Sequence, residues 1–100
     1  MHDIMAEPLR IKVKTFATLR EAFGGRGILY LDLPEGSTIQ DLLNLLESSY
    51  SSKISSSRLI GENPNVKILV NGREITYLDG FKTRLKDGDV VAFIPPVAGG

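Results

Sequence analysis

The chain has 100 residues, with 12 Lys plus Arg against 12 Asp plus Glu and no cysteine. That length makes one domain with one core, and the balanced charge argues against a nucleic-acid or membrane-surface protein. Without cysteine there is no disulfide, no thiolate nucleophile and no cysteine metal site.

His2 is the only histidine. It sits near a terminus expected to fray, which argues against histidine catalysis and histidine-cluster metal sites, so no metal ligand is expected. No apolar run approaches membrane-spanning length, and the first residues lack the apolar stretch of a signal peptide. A cytoplasmic location is the default expectation.

Residues 1–8 mix charge signs without a period and read as a mobile arm. From Leu9 the chain alternates: Leu9, Ile11 and Val13 on one face, Arg10, Lys12, Lys14 and Phe16 on the other. This predicts a strand with one buried face. Phe16 is an aromatic at the end of the polar face. Residues 18–23 read as a short helical turn, with Leu19 and Phe23 four apart. Gly24-Gly25-Arg26-Gly27 lacks the Lys-Ser/Thr and the helix of a phosphate loop and is expected to be a wide hairpin turn.

A second strand is predicted at 28–33, with Leu29, Leu31 and Leu33 inward. Pro34-Glu35-Gly36 ends it. Ser37 then reads as a helix N-cap, with Gln40 reaching back to complete a capping box. Asp41 suits the positive end of the helix dipole. Ile39, Leu42, Leu43 and Leu46 form a core-facing stripe, and the pattern fades near Tyr50.

Residues 48–57 are serine-rich and read as a loose loop, with a turn near Arg58-Leu59-Ile60. Val66, Ile68 and Val70 predict a third strand. Asn71-Gly72 is the strongest short hairpin signal, with a short return strand at 73–75. Residues 77–84 are connecting structure, and Phe81 and Leu85 are expected to plug the bottom of the core. Asp87-Gly88 turns the chain into a last strand at 90–94.

One helix lying across one face of a mixed sheet follows from this order, an α+β arrangement. Its simplest form is a β-grasp, the ubiquitin-like fold, in which two hairpins flank the helix and the first and last strands run parallel in the middle. If Val91 and Phe93 face the helix, then Val90, Ala92 and Ile94 face away. Phe16 and Ile94 then form an exposed apolar patch, read as a partner surface in preference to scattered surface hydrophobes. Arg20, Lys12 and Lys14 are placed to steer an acidic partner, or are simply a solvated basic face.

After Ile94 the sequence reads Pro95-Pro96-Val97-Ala98-Gly99-Gly100. Two prolines hold the backbone extended and cannot donate to a sheet, and two glycines end it. The expected division is a flexible arm at 1–8, a domain at 9–94 and an extended tail at 95–100. Such a slim tail suits a narrow enzyme channel, because glycine permits close backbone approach. A terminal carboxylate becomes reactive when an enzyme adenylates it with ATP. In a chain without cysteine, activated sulfur can be carried only there.

The run Ile11-Lys12-Val13-Lys14-Thr15-Phe16-Ala17 with Leu19-Arg20-Glu21 resembles the opening of the MoaD/ThiS ubiquitin-like sulfur carriers. The helix entry at 33–39, Val70-Asn71-Gly72, and the run from Leu85 through Asp87-Gly88-Asp89 to the terminal Gly-Gly complete the likeness, which is nearer MoaD. The resemblance implies a small subunit of molybdopterin synthase. An E1-like adenylyltransferase of MoeB type uses ATP to activate Gly100, which becomes a thiocarboxylate, and Gly99 permits entry to the active site. The tail then enters a MoaE-like large subunit and gives sulfur to a pterin precursor, building the molybdenum cofactor. Phe16, Arg20 and Ile94 align with interface positions, and Pro95, Pro96, Val97 and Ala98 contact the partner. The chain binds no cofactor of its own in this scheme and is not an enzyme alone. Ile94 stands where relatives often carry a second aromatic, and the length at 75–83 exceeds the family pattern. Two alternatives stay open. One is a ubiquitin-like modifier joined to lysines through Gly100, or a carrier feeding tRNA thiolation. The other is a plain β-grasp interaction module.

Overall fold

A computed structural model describes residues 7–16, 25, 27–49 and 66–94 of the chain. Among these described residues the strands are β1 (Leu9–Thr15), β2 (Ile28–Leu33), β3 (Lys67–Val70), β4 (Arg73–Glu74) and β5 (Val90–Ile94), with one α-helix, α1 (Ile39–Ser49), and two short 3₁₀ turns at Ile75–Tyr77 and Gly80–Lys82. The five strands form one sheet in the order β2-β1-β5-β3-β4. β1 and β5 are parallel, with Thr15 beside Phe93, and every other pair is antiparallel. This is the predicted β-grasp arrangement, with its first and last strands side by side in the centre.

Alternation in the sequence becomes sidedness in the sheet. Leu9, Ile11, Val13 and Thr15 of β1, Leu29 and Leu33 of β2, Ile68 and Val70 of β3, and Val91 and Phe93 of β5 are buried. The helix lays Ile39, Leu42, Leu43 and Leu46 against them, the four residues of the predicted stripe. Among the described residues Phe93 is the largest fully buried side chain. Removing such a ring from a packed core costs about 3–5 kcal/mol.

The helix start differs by one residue from the expected Ser37/Gln40 box. Thr38 is the N-cap: its Oγ1 accepts the Asp41 N–H (3.3 Å), and the Asp41 carboxylate accepts the Thr38 N–H (2.9 Å). These are the two reciprocal bonds of a capping box. Ser37 is buried and committed elsewhere, its hydroxyl donating to the Pro34 carbonyl and its own carbonyl accepting the Leu85 N–H. Gln40 donates to the Asn44 side chain one turn on. The Thr83 carbonyl takes the Ile39 N–H, so the helix N-terminus is stitched to the segment entering β5.

Three further expectations need correction. The helix includes Ser48 and Ser49, which the sequence assigned to a loop. β4 ends at Glu74, because Ile75 turns into a 3₁₀ turn that buries its side chain. Phe81 does not plug the core: it is 40% exposed, while Leu85 is buried. Gly80 explains the difference, since its φ of +58° turns the chain just before Phe81. The expected helical turn at 18–23 and the turn near Arg58 lie outside the described residues.

Candidate functional site

Two turns fix the centre of the sheet. In the hairpin between β3 and β4, Asn71 and Gly72 have φ of +52° and +85°, the left-handed pair that a tight hairpin requires. Asn71 donates from its side-chain amide to Asp89 (2.9 Å) and accepts the Val90 N–H on its side-chain oxygen (2.9 Å). In the second turn, Gly88 has φ of +88° and donates its N–H to the Arg10 carbonyl. The Asp87 carboxylate accepts the Arg10 N–H (2.8 Å), and the Asp89 carboxylate accepts the Lys86 N–H (2.8 Å). Asp87-Gly88-Asp89 is therefore a brace that sets β5 parallel to β1 and in register with β3.

Because β1 and β5 are parallel, their C-terminal ends lie at the same edge of the sheet. The Thr15–Phe93 pair, taken one residue further, sets Phe16 beside Ile94. Phe16 is 40% exposed and Ile94 half-buried. Outward from these the register lays Ala92 between Lys14 and Leu69, Val90 beside Lys12, and Ile94 beside Lys67. Ile28 and Tyr30, paired with Lys14 and Lys12, carry the face to the β2 edge, with Tyr30 61% exposed. The face is thus an apolar surface interleaved with lysines. Leu69, Lys67, Ile28 and Tyr30 were not singled out from the sequence, although alternation in β2 and β3 carried the signal: whatever lies between inward residues faces out.

Two ion pairs lie among the described residues of this sheet. Arg10 grips Asp32 through Nε (3.1 Å) and Nη2 (3.3 Å), across the β1–β2 pairing. The hydrogen bond from Arg10 holds the Asp32 carboxyl below the usual carboxylate range and, reciprocally, raises the Arg10 guanidinium. Lys67 and Glu74 meet at 3.9 Å. The first pair is open to solvent and the second partly so, and at surface exposure such pairs contribute little to stability. Arg20 and the tail positions Pro95, Pro96, Val97, Ala98, Gly99 and Gly100 lie outside the described residues. Among the described residues there is no cluster of three His, Cys, Asp or Glu able to hold a metal ion, and no helix is long and apolar enough to cross a membrane.

A helix across a mixed five-stranded sheet with parallel central strands defines a ubiquitin-like β-grasp protein. More narrowly, the chain belongs to the ThiS family, whose model matches residues 13–100. It is 41% identical over 95 residues to small archaeal modifier protein 3 of Haloferax volcanii, covering 92% of this chain and all of that one. It is 33% identical over 94 residues to a putative sulfur carrier protein of Archaeoglobus fulgidus, again covering 92% of this chain and all of the relative. Among solved structures, a putative molybdopterin converting factor, subunit 1, from Pyrococcus furiosus superposes with a TM-score of 0.70 at 32% identity, covering 89% of this chain and 99% of that one. The family is one of small sulfur carriers and ubiquitin-like modifiers.

Proposed function

We propose that this chain carries sulfur on the carboxylate of Gly100. An E1-like adenylyltransferase of MoeB type joins that carboxylate to AMP, releasing pyrophosphate from ATP. A sulfur donor then displaces AMP and leaves a thiocarboxylate. ATP is used by the partner, and the chain holds no cofactor itself. Residues 95–100 act as the tail, with Gly99 slim enough to enter a channel and Pro95, Pro96, Val97 and Ala98 in contact with its walls. Residues 9–94 act as the handle, 1–8 as an arm, and the work is done in the cytoplasm.

The observation that carries this reading is the parallel β1–β5 pairing, whose last pair, Thr15–Phe93, stands one residue before Phe16 and Ile94. A partner that grips the apolar, lysine-studded face holds the tail's base at a fixed place. Arg20 adds a cation to that grip.

The acceptor we favour is a pterin precursor held by a MoaE-like large subunit, with this chain as the small subunit of molybdopterin synthase. The likeness to the Pyrococcus furiosus protein and the terminal Asp-Gly-Asp to Gly-Gly run support it. A second reading is supported by the 41% likeness to a modifier protein: Gly100 is joined to lysines of other proteins after the same activation. Transfer into tRNA thiolation begins at the same thiocarboxylate.

Purification from native cells separates these acceptors. An intact mass carrying one sulfur in place of one oxygen at Gly100 supports the carrier. Gly-Gly remnants on lysines of other proteins support the modifier. Neither product, with function surviving deletion of Gly100, overturns both.

A further inference from the structure

At the pole opposite the tail's base lies a cleft of about 380 Å³. Val70 and Leu78 are the apolar residues of its lining, and Arg73, Arg84 and Lys86 line it as well. Its volume falls at the lower end of the range for small-ligand sites, about 300–1,000 Å³. We propose that this cleft is a binding site for a small phosphate-bearing anion.

Charge carries the argument first. Arg73, Arg84 and Lys86 are exposed, and among the described residues none of them is in an ion pair. Asp89 is the one carboxylate lining the cleft, and both its oxygens are occupied: one accepts the Asn71 amide, the other the Lys86 backbone N–H. Three cations therefore share one carboxylate that already braces the β5 turn. An anion seated among them gains attraction from all three. Two guanidinium groups add the planar, paired donors that suit phosphate oxygens.

Position then limits the size of the anion. Arg84 is bridged to Thr38, whose N–H is capped by the Asp41 carboxylate, and Lys86 is followed by Asp87. Asp79 is tied to the cleft wall, its N–H bonded to the hydroxyl of Thr83, which lines the cleft. A long acidic polypeptide leaving the cleft in these directions meets like charge. A compact anion does not.

The elements that hold the cleft are well braced. Asn71 ties β3 to β5, the Ser37–Leu85 and Ile39–Thr83 backbone bonds fix the Arg84 segment, and the Lys86–Asp89 turn fixes the third cation. The cleft lies at the N-terminal end of β5, with the tail at its C-terminal end. Occupation of one end leaves the other open, so the ligand can be bound while the tail is engaged by a partner.

The test is a two-dimensional amide NMR titration of the full chain with inorganic phosphate, at ionic strength held constant with chloride. The expected result is saturable shifts confined to the amides of residues 71–73 and 84–89. Arg84→Gln and Lys86→Gln each weaken binding about three- to tenfold, as loss of one charge-assisted contact does. Lys12→Gln, on the sheet face, leaves it unchanged. Arg73→Gln is the substitute should either cleft variant lose its dispersed spectrum. Deleting Gly100 leaves phosphate binding intact, so the result is independent of the carrier reading. Shifts that do not saturate, that chloride alone reproduces, or that saturate only with an oligoglutamate peptide overturn the proposal.

Discussion

Asn71 and Asp89, eighteen residues apart in the chain, are joined by a 2.9 Å bond from the Asn71 amide to the Asp89 carboxylate. The same asparagine accepts the Val90 N–H and adopts a left-handed φ of +52°. One side chain thus turns a hairpin and sets the register of the strand that ends at Ile94. Asn71→Ala removes both side-chain bonds and places an alanine in a region unfavourable to it. A loss of roughly 2–3 kcal/mol is expected in urea unfolding. Asn71→Gly removes the bonds while relieving the backbone, and is expected to lose less. Equal losses for the two variants contradict the assignment of part of the cost to φ.

The helix cap gives a sharper test of register. Thr38→Ala is expected to destabilise the domain by about 1 kcal/mol, and Thr38→Ser by much less. Because Thr38 and Asp41 bond reciprocally, a double-mutant cycle between them returns a coupling energy. The Ser37–Gln40 cycle, which is the other register, returns none. Coupling between Ser37 and Gln40 in place of Thr38 and Asp41 contradicts the cap.

Two phenylalanines distinguish core from surface. Phe93→Ala is expected to cost about 3–5 kcal/mol, because the ring is wholly buried in the core between sheet and helix. Phe81→Ala, at a ring 40% exposed, is expected to cost well under half of that. Thermal or chemical unfolding of both variants ranks them, and a reversed order contradicts the packing.

Asp32 gives the pH dependence. Its folded-state titration lies below the ordinary value because Arg10 bonds the ionised carboxylate. The stabilisation that follows is complete above the unfolded-state value, about 3.9, and is lost as pH falls through the lowered folded-state value. In a carbon-detected NMR titration the Asp32 midpoint is expected below about 3.9 and to move back towards it at about 1 M salt, since the pair is exposed. A midpoint that rises in Arg10→Gln supports the cause, and one unchanged there contradicts it.

Ile94→Asp tests the outward face. Ile94 is half-buried beside Lys67 at the C-terminal end of the central strand β5, on the face away from the helix. The variant is expected to keep its unfolding midpoint within a few degrees while binding to the E1-like enzyme or the large subunit weakens at least about tenfold. Unchanged affinity for both partners removes the patch from the account.

Period-two and period-3.6 patterns made the core legible in the sequence. Leu9, Ile11 and Val13 alternate, and Ile39, Leu42, Leu43 and Leu46 repeat at helical spacing, because burial on one face dictates both. The cap was ambiguous for a physical reason. Ser37-Thr38-Ile39-Gln40-Asp41 fits the capping template in two registers one residue apart. Long-range bonds from Ser37 to Pro34 and Leu85 decide between them, and no local rule contains those bonds. The 3₁₀ turns at 75–82 follow neither period, so Phe81 was assigned by its hydrophobicity alone and wrongly. The parallel β1–β5 pair was legible because it follows from element order. The basic cleft was not, since Arg73, Arg84 and Lys86 meet only through tertiary structure.

The central claim is that Gly100 is the reacting group. The direct measurement is ATP–pyrophosphate exchange by the E1-like adenylyltransferase of the same cells, with this chain as the only acyl substrate. Exchange is expected with the full chain, abolished by deletion of Gly100 and retained by Lys86→Gln in the distant cleft. No exchange with the full chain, by an enzyme active on another carrier, contradicts the account.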